Sequence, residues 1–269
     1  MSERNKHFIN ILFRVVFTSL GAIAEIVAVS LIFDIKISIL FLVLVTVLIS
    51  IIYCWDFYQE YAPQLNKFHQ TSTLSAIIIL IASYIILVSF INNLLIVACF
   101  SILLVASLFY DKFFKRITKN VLGFKDVFVA ICWNLLILIL FLSSSASNPN
   151  TIILFLIFVF TRDVSNISYC DIKDISNDKK NELKTFAEIL GINKLVHSLM
   201  ITSLISIIII VVGVHFELLP VRAYALIAPV MITSLLILFS HKTRRYSPTN
   251  VDFEYFIWLL FVLISRLFI

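Results

Sequence analysis

Residues 150–178 read NTIILFLIFVFTRDVSNISYCDIKDISND, an apolar run that is followed at once by an acidic segment. The run from 150 to 168 is long enough to cross the hydrocarbon core of a bilayer as a helix. The segment after it places Asp171, Asp174 and Asp178 within a few positions of one another. Asp174 and Asp178 are four residues apart, so they share one face if the segment is helical. The stretch therefore predicts a membrane-spanning helix with a cation site at its end.

Apolar runs of this kind recur along the whole chain of 269 residues, which is 61% hydrophobic and 14% charged, with a mean hydropathy of +1.05. A soluble domain carries roughly 25% charged residues. The runs are continuous rather than alternating, which favours helices over a membrane β-barrel. We predict about nine spans: 8–33, 36–54, 73–91, 93–110, 126–144, 150–168, 195–215, 219–240 and 252–269. The expected fold is an all-α polytopic membrane protein, with these helices around a central cavity open to the cytoplasmic side and one domain over residues 1–269.

The charged residues predict how the chain is oriented in the membrane. Most Lys and Arg residues lie in the long connections after the second, fourth, sixth and eighth spans, whereas the opposite side has little beyond Lys36, Arg222 and Arg266. The positive-inside rule then puts the N-terminus and the long loops in the cytoplasm of a bacterial inner membrane or its equivalent. Topology and anionic headgroups account for the net charge of +5, so it does not argue for nucleic acid.

A second acidic pair, Asp56 and Glu60, follows the second span with the same spacing of four. Both pairs lie on the predicted cytoplasmic side, each at the end of an apolar span. Carboxylates repel one another and repel phosphate, unless a hard divalent cation such as Mg²⁺ bridges their oxygens. The two pairs together predict a metal site for a substrate that carries a diphosphate, with basic side chains holding the remaining phosphate oxygens.

Other interpretations of the acidic pairs stay open at this point. The acids could be solvated loop charges, or the ion sites of a transporter, although transporter sites lie near the middle of the membrane. A CDP-alcohol phosphotransferase motif needs glycines, and the chain has four glycines in total, none of them in either motif. Its four scattered cysteines contain no CxxC pair, so they do not support a zinc site. Glu25 lies inside the first span, where a carboxylate needs a partner or a proton.

The stretch from Arg162 to Lys180, followed by Lys184-Thr185 and Leu190-Gly191, resembles the second aspartate-rich motif of the UbiA prenyltransferase superfamily. That family has a nine-helix fold, in agreement with the number of apolar runs. The first motif departs from the family pattern, because Ile52 and Tyr53 stand where Asn and Asp are usual. Glu182 stands at a usual glycine, which favours a helical rather than a turned segment after the second motif.

The resemblance implies Mg²⁺-dependent transfer of a polyprenyl group from a prenyl diphosphate to a hydrophobic acceptor within the membrane, the acceptor being an aromatic ring or another lipid precursor. Membrane lipids would surround the enzyme, and a terpene cyclase of the same fold remains the alternative. The metal-binding and catalytic residues that it implies are Asp56, Glu60, Asp171, Asp174 and Asp178. Those that it implies for the diphosphate are Asn166, Lys112, Lys115, Arg116, Lys125 and Lys184.

Overall fold

The computed structural model describes residues 3–61, 67–144 and 148–268, with the backbone alone for residues 3–12, 60–61, 111, 112 and 115. Every regular element in these ranges is helical, which confirms the predicted all-α class. A helix pairs its backbone polar groups internally, so an apolar run in lipid folds this way. The helices in chain order are α1 (Glu3–Phe33), α2 (Ile39–Tyr61), α3 (Lys67–Ser89), α4 (Leu94–Leu108), α5 (Lys115–Thr118), α6 (Phe124–Leu142), α7 (Pro149–Cys170), α8 (Ile175–Lys180), α9 (Phe186–His215), α10 (Ile227–Thr243), α11 (Thr249–Asp252) and α12 (Glu254–Ser265).

Each predicted span coincides with one of the longer helices, but their lengths differ. Among the described residues, seven helical stretches are long and apolar enough to cross a membrane: Phe13–Phe33, Ile39–Gln59, Lys67–Ser89, Phe124–Leu142, Pro149–Lys180, Phe186–His215 and Val221–Thr243. α4 and α12 have 15 and 12 residues, fewer than the roughly 20 that a straight span needs. The chain is therefore a polytopic membrane protein, and the predicted number of nine spans stays a prediction.

Contacts divide the chain into two compact units, and the first comprises residues up to Ala24 together with Ile37–Leu108. Within it, α2 packs against α3 and α4. The inner face of α2 buries Leu44 and Leu48 completely. The Trp55 indole N–H donates to the carbonyl oxygen of Leu108 at 3.1 Å, which ties the end of α2 to the end of α4.

The second unit comprises Glu25–Lys36 and the residues from Phe109 onward. In this unit α7 packs against both α6 and α9, and α10 packs against α9 and α12. Buried aromatic rings hold α7 in place: the Phe33 ring meets those of Phe141 and Phe155 edge-on, each at 4.9 Å between centroids. α7 is thus fixed on two sides, and it leads directly into the second acidic motif.

Asp34, in the connection that follows α1, joins two arginines of the second unit. The Arg222 guanidinium donates to both carboxylate oxygens at 2.7 Å, and Arg266 donates to one of them at 2.5 Å. The hydrogen bond from Arg222 is the largest influence on the pKa of Asp34, and with Arg266 it lowers that pKa below its ordinary value. Two of the basic residues that depart from the predicted charge bias are therefore paired with one acid.

Candidate active site

The second acidic motif does not form one regular helix. After α7, residues Asp171–Asp174 make a single 3₁₀ turn, and α8 begins at Ile175. Side chains three apart eclipse each other in a 3₁₀ turn, so Asp171 and Asp174 point the same way. Asp171 and Asp178 are buried at 4% and 3% exposure, whereas the Asp174 side chain is 42% exposed. The expected helical pair of Asp174 and Asp178 is thus split, with one acid at the surface and one inside.

Lys125, in the first turn of α6, reaches the first aspartate of this motif. Its Nζ lies 2.7 Å from Oδ1 of Asp171, and the two side chains are 26% and 6% exposed. The sequence predicted that Lys125 contacts diphosphate. The structure places its ammonium group on a carboxylate that was itself predicted to bind metal, so it neutralises part of the charge on the motif.

Asp178 is held by the segment that follows it. Thr185 Oγ1 donates to Oδ2 of Asp178 at 3.1 Å, and the same hydroxyl oxygen accepts from the backbone N–H of Glu188 at 3.3 Å. Thr185 is therefore both the N-cap of α9 and a donor to the motif. This gives the Lys-Thr pair after the motif a physical role, because the threonine fixes the orientation of the last aspartate.

The prediction of a helical segment at Glu182 is wrong. Glu182 has a left-handed backbone with φ of +59°, and α8 ends there in a turn. The N–H of Leu183 donates to the Asp178 carbonyl at 2.9 Å, and the N–H of Glu182 donates to the Lys179 carbonyl at 3.3 Å. This pair of bonds is the Schellman pattern, which satisfies the last carbonyls of a helix and favours glycine at the left-handed position. The hydrogen bonds impose the turn although the residue is glutamate.

Buried polar atoms without partners lie next to this motif. Oδ2 of Asp171 and both side-chain amide atoms of Asn166 are buried and make no hydrogen bond within the described structure. Such atoms are rare in folded proteins, and each calls for a partner. An oxygen ligand suits Mg²⁺, and an amide N–H suits a phosphate oxygen, so the atoms present fit a metal–diphosphate group. We refer to Asn166, Asp171, Asp178 and Lys125 as the motif cluster.

No three His, Cys, Asp or Glu residues in the described part of the chain converge closely enough to hold a metal ion by themselves. Mg²⁺ keeps several waters and usually takes one or two protein carboxylates together with phosphate oxygens. Such an ion does not require three converging protein ligands.

A family model of the UbiA prenyltransferase family matches residues 66–260, which is most of the chain and includes the whole motif cluster. The chain belongs to the UbiA prenyltransferase family. It is accordingly a membrane prenyltransferase.

Solved structures share the UbiA fold with this chain at low sequence identity. An apo structure of a UbiA homologue from Aeropyrum pernix K1 is 12% identical with a TM-score of 0.61, covering 99% of this chain and 100% of the other. A structure of digeranylgeranylglyceryl phosphate synthase is 14% identical with a TM-score of 0.63 and full coverage of both chains. A search of curated proteins gave no match.

The first acidic motif of this UbiA chain lies on α2, in the first unit. Asp56 is exposed near the end of that helix, and Ile52 and Tyr53 occupy the turn before it. Glu60 is four residues further along the same helix, so its backbone is on the same face as that of Asp56. The predicted role of the pair in metal binding stays a prediction, and the side chain of Glu60 lies outside the described residues.

The structure describes the side chains of some of the predicted basic residues and not of others. The side chains of Lys112 and Lys115 lie outside the described residues. Arg116 and Lys184 are exposed. Among the predicted basic residues whose side chains the structure describes, Lys125 is the one that contacts an aspartate of the second motif.

Aromatic rings line the start of α6 on either side of Lys125. Phe114 stacks on Phe128 with 4.8 Å between ring centroids, and Tyr110 stacks on the same ring at 5.2 Å. Phe124, one residue before Lys125, stacks on Phe114 at 6.2 Å. The preceding segment Tyr110–Phe114 is a π-helical turn, a rare element that often occurs at functional sites.

Sequence reasoning missed Asp126, which is completely buried in the first turn of α6. Its Oδ1 accepts from the Ser168 hydroxyl at 3.1 Å, and its Oδ2 accepts from the backbone N–H of Phe186 at 3.3 Å. An acid next to a predicted diphosphate lysine was the available signal, because a charge at the start of an apolar helix requires partners.

A second buried polar cluster joins α7 to α12, and sequence reasoning missed it as well. Arg162 and Glu254, both fully buried, form a two-pronged ion pair at 2.7 and 2.8 Å. Ser203 accepts from Arg162 at 3.0 Å, and the Tyr255 hydroxyl donates to Asp163 at 2.6 Å. We refer to Arg162, Asp163, Glu254 and Tyr255 as the ion-pair cluster. The signal was that charges inside apolar spans are costly unless paired.

Glu25 is the exception beside the ion-pair cluster. It is 1% exposed and lies within electrostatic reach of Asp163 and Glu254. Its Oε1 accepts no hydrogen bond from the described atoms. Glu25 is therefore buried, and the expectation that a partner or a proton neutralises its carboxylate stays a prediction.

Proposed function

We propose that this chain transfers a polyprenyl group from a prenyl diphosphate to a hydrophobic acceptor, in a reaction that depends on Mg²⁺. The observation that carries the proposal is the unpartnered buried Oδ2 of Asp171, whose other oxygen contacts Lys125, together with the unpartnered buried amide of Asn166 on the preceding helix. These atoms match the donors and acceptors that a metal–diphosphate group requires. The acceptor we favour is an aromatic or other lipid precursor, in keeping with a lipid-synthesising synthase of the same fold.

Asp171 and Asp178 would hold the metal ion from the second unit, with Asp174 at the exposed entrance. The resemblance to the family assigns a metal-binding role to Asp56 and Glu60 as well. These carboxylates would hold Mg²⁺, which would supply stabilisation of the negative charge that develops on the diphosphate as the allylic C–O bond breaks. The residues of this chain supply the rest of the chemistry.

Lys125 and Asn166 would orient the diphosphate. The Lys125 ammonium group has three donors, and Asp171 uses one of them in the structure. The other two remain for phosphate oxygens, and the Asn166 amide adds neutral donors at the same place. Lys112, Lys115, Arg116 and Lys184 would contribute positive charge at the cytoplasmic mouth of the proposed central cavity.

The carbon left by the departing diphosphate is an allylic cation, which water would quench. Phe124 and Phe128 flank Lys125 along α6, and their rings present negative π faces that favour a nearby cation. Stacked rings also exclude water from their surroundings. The acceptor then forms a bond to the cation and releases a proton, which balances the transfer.

The central test replaces single aspartates of the motif. Asp178→Ala and Asp171→Ala should abolish Mg²⁺-dependent turnover of geranylgeranyl diphosphate by purified protein while leaving membrane insertion intact. Ser176→Ala is the matched control, because Ser176 is an exposed neighbour of the acids in α8. Retained turnover in both aspartate variants would refute the proposal.

The alternative of a terpene cyclase predicts a different product from the same assay. A hydrocarbon formed in the absence of any acceptor would favour the cyclase, because the cation is then attacked by a double bond of its own chain. A prenylated product that appears only with an added aromatic or lipid acceptor supports the transferase.

A further inference from the structure

Asp126 joins the start of α6 to the two helices that flank the second acidic motif. It lies on α6 directly after Lys125. Through Oδ1 it accepts from Ser168 on α7, three residues before Asp171. Through Oδ2 it accepts from the N–H of Phe186 at the start of α9. One fully buried carboxylate therefore contacts the chain both before and after the motif.

The link to α9 continues to the last aspartate. Phe186 follows Thr185, whose hydroxyl donates to Asp178. A shift of the backbone N–H at Phe186 therefore moves the donor that orients Asp178. The link to α7 is equally short, because Ser168 and Asp171 are one helical turn apart.

Backbone bonds press the same segment onto the start of α6. The N–H of Gly123 donates to the Lys184 carbonyl at 2.7 Å, and the N–H of Lys184 donates to the Thr118 carbonyl at 3.0 Å. Gly123 has φ of +64°, and a Cβ at that position would lie 2.3 Å from the Phe186 ring. Glycine is required there both for the backbone angle and for the close approach of the ring.

We propose that Asp126 is a positioning residue that sets the separation of Lys125, Asp171 and Asp178 for metal–diphosphate binding, without touching the ligand. The inference rests on the proposed function. Ser168 and Phe186 both donate to Asp126, and a carboxylate accepts both bonds through charged oxygens. An asparagine has one acceptor oxygen and one NH₂ group, so it would keep both contacts only if the Ser168 hydroxyl turned its proton away and accepted instead. The substitution therefore replaces two charge-assisted hydrogen bonds with two neutral ones.

The test compares Asp126→Asn with Asp163→Asn. Asp163 is equally buried and also accepts from two donors, Tyr255 at 2.6 Å and Asn134 at 3.3 Å, but neither donor contacts the motif cluster. Both substitutions disturb a buried carboxylate with two partners, so both should lower the thermal midpoint of the purified protein. Stability alone cannot distinguish a positioning role, and the pair of variants controls for it.

The deciding measurement is calorimetric titration with inorganic pyrophosphate in the presence of Mg²⁺. We expect Asp126→Asn to raise the dissociation constant about tenfold, since a hydrogen bond to a charged group is of that order. Asp163→Asn should leave the constant within a factor of about two, because its donors Tyr255 and Asn134 make no hydrogen bond that orients Lys125, Asp171 or Asp178. Equal constants for the two variants would overturn the inference.

Ser168→Ala provides a second test of the positioning role if Asp126→Asn fails to fold. It removes one donor to Asp126 and leaves the carboxylate in place, so we expect about a threefold rise in the dissociation constant. An unchanged constant in Ser168→Ala would then count against a positioning role. If Asp171→Ala and Asp178→Ala bind pyrophosphate and turn over substrate normally, the proposed function fails instead.

Discussion

The two buried polar clusters of α7 differ in how completely their atoms are paired. In the ion-pair cluster, Arg162 donates to Glu254 and Ser203, and Asp163 accepts from Tyr255 and Asn134. In the motif cluster, the amide of Asn166 and one oxygen of Asp171 have no partner among the described atoms. Each cluster has buried members on α7, Asn166 in one and Arg162 and Asp163 in the other, so burial alone does not explain the contrast.

The contrast separates two uses of buried polar groups. A saturated network stabilises one arrangement of helices, because every group would lose its partner on opening. A network with free acceptors and donors is incomplete until a ligand arrives. The unpaired atoms of Asn166 and Asp171 are those that the proposed ligand would use, and the paired atoms of the ion-pair cluster have no need of one.

The largest expected effect comes from breaking the ion pair. Arg162→Leu leaves the Glu254 carboxylate buried without its cation, and such a loss costs about 3–5 kcal/mol in the free energy of unfolding. Chemical denaturation of the purified protein in detergent would measure it. The double variant Arg162→Leu with Glu254→Gln removes both charges and should recover most of the loss. A single variant as stable as the wild type would show that the pair is not structural.

The next largest effect is a gain in stability, which is expected from a substitution at the turn after α8. Glu182→Gly relieves a left-handed backbone that costs a residue with a side chain about 1–2 kcal/mol. It also removes an exposed ion pair with Lys119 at 3.4 Å, so the net gain should be about 1 kcal/mol or less. Glu182→Ala loses the ion pair and keeps the strained angle, and it should therefore gain nothing. A stabilised alanine variant would contradict the strain argument.

The motif cluster should respond to substitution in the opposite sense from the ion-pair cluster. Asn166→Leu removes a buried amide that has no partner, so the free energy of unfolding should change by less than about 1 kcal/mol or rise. Binding of Mg²⁺ and pyrophosphate should weaken in the same variant. Thermal unfolding with and without both ligands measures the two effects together. A loss of stability as large as that of Arg162→Leu would erase the distinction between the clusters.

Replacing Asp34 should have the smallest effect on stability, because its ion pairs with Arg222 and Arg266 are exposed to solvent. Its folded-state pKa lies below the ordinary value of 3.8, chiefly through the hydrogen bond from Arg222. A lowered pKa contributes stability that is fully present above the ordinary value and is lost as the pH falls through the folded value. The thermal midpoint of the wild type should therefore approach that of Asp34→Asn below about pH 4. A constant difference between the two proteins down to low pH would contradict the pairing.

Local patterns in the sequence predicted much of this structure. The apolar runs gave the positions of the long helices, the acidic motif was located from residue type and spacing, and Lys125 and Asn166 were implied by the resemblance to the UbiA family. The 3₁₀ turn at Asp171–Asp174 was not predictable from spacing, because the same residues also fit a continuous helix. Glu182 misled the prediction since side-chain identity favoured a helix while the backbone bonds required a turn.

The sequence also did not predict contacts between residues that are far apart along the chain. Arg162 and Glu254 are 92 positions apart, and Asp126 and Phe186 are 60 apart. Nothing in the spacing of such residues specifies a partner. A charge inside an apolar span does state that a partner is needed, and Arg162, Asp163 and Asp126 each carried that signal.

Asp34 and Arg266 are separated by 232 positions, and this distance has a consequence for the order of events during synthesis. A ribosome adds roughly 5–20 residues per second, so Asp34 is made on the order of 10–50 seconds before Arg266 exists. Arg222 is made 188 positions after Asp34, so it can pair with Asp34 only during about the last 2–9 seconds of that interval, before Arg266 is made. The contact with both arginines can therefore form only after all the helices from α1 to α12 have been synthesised.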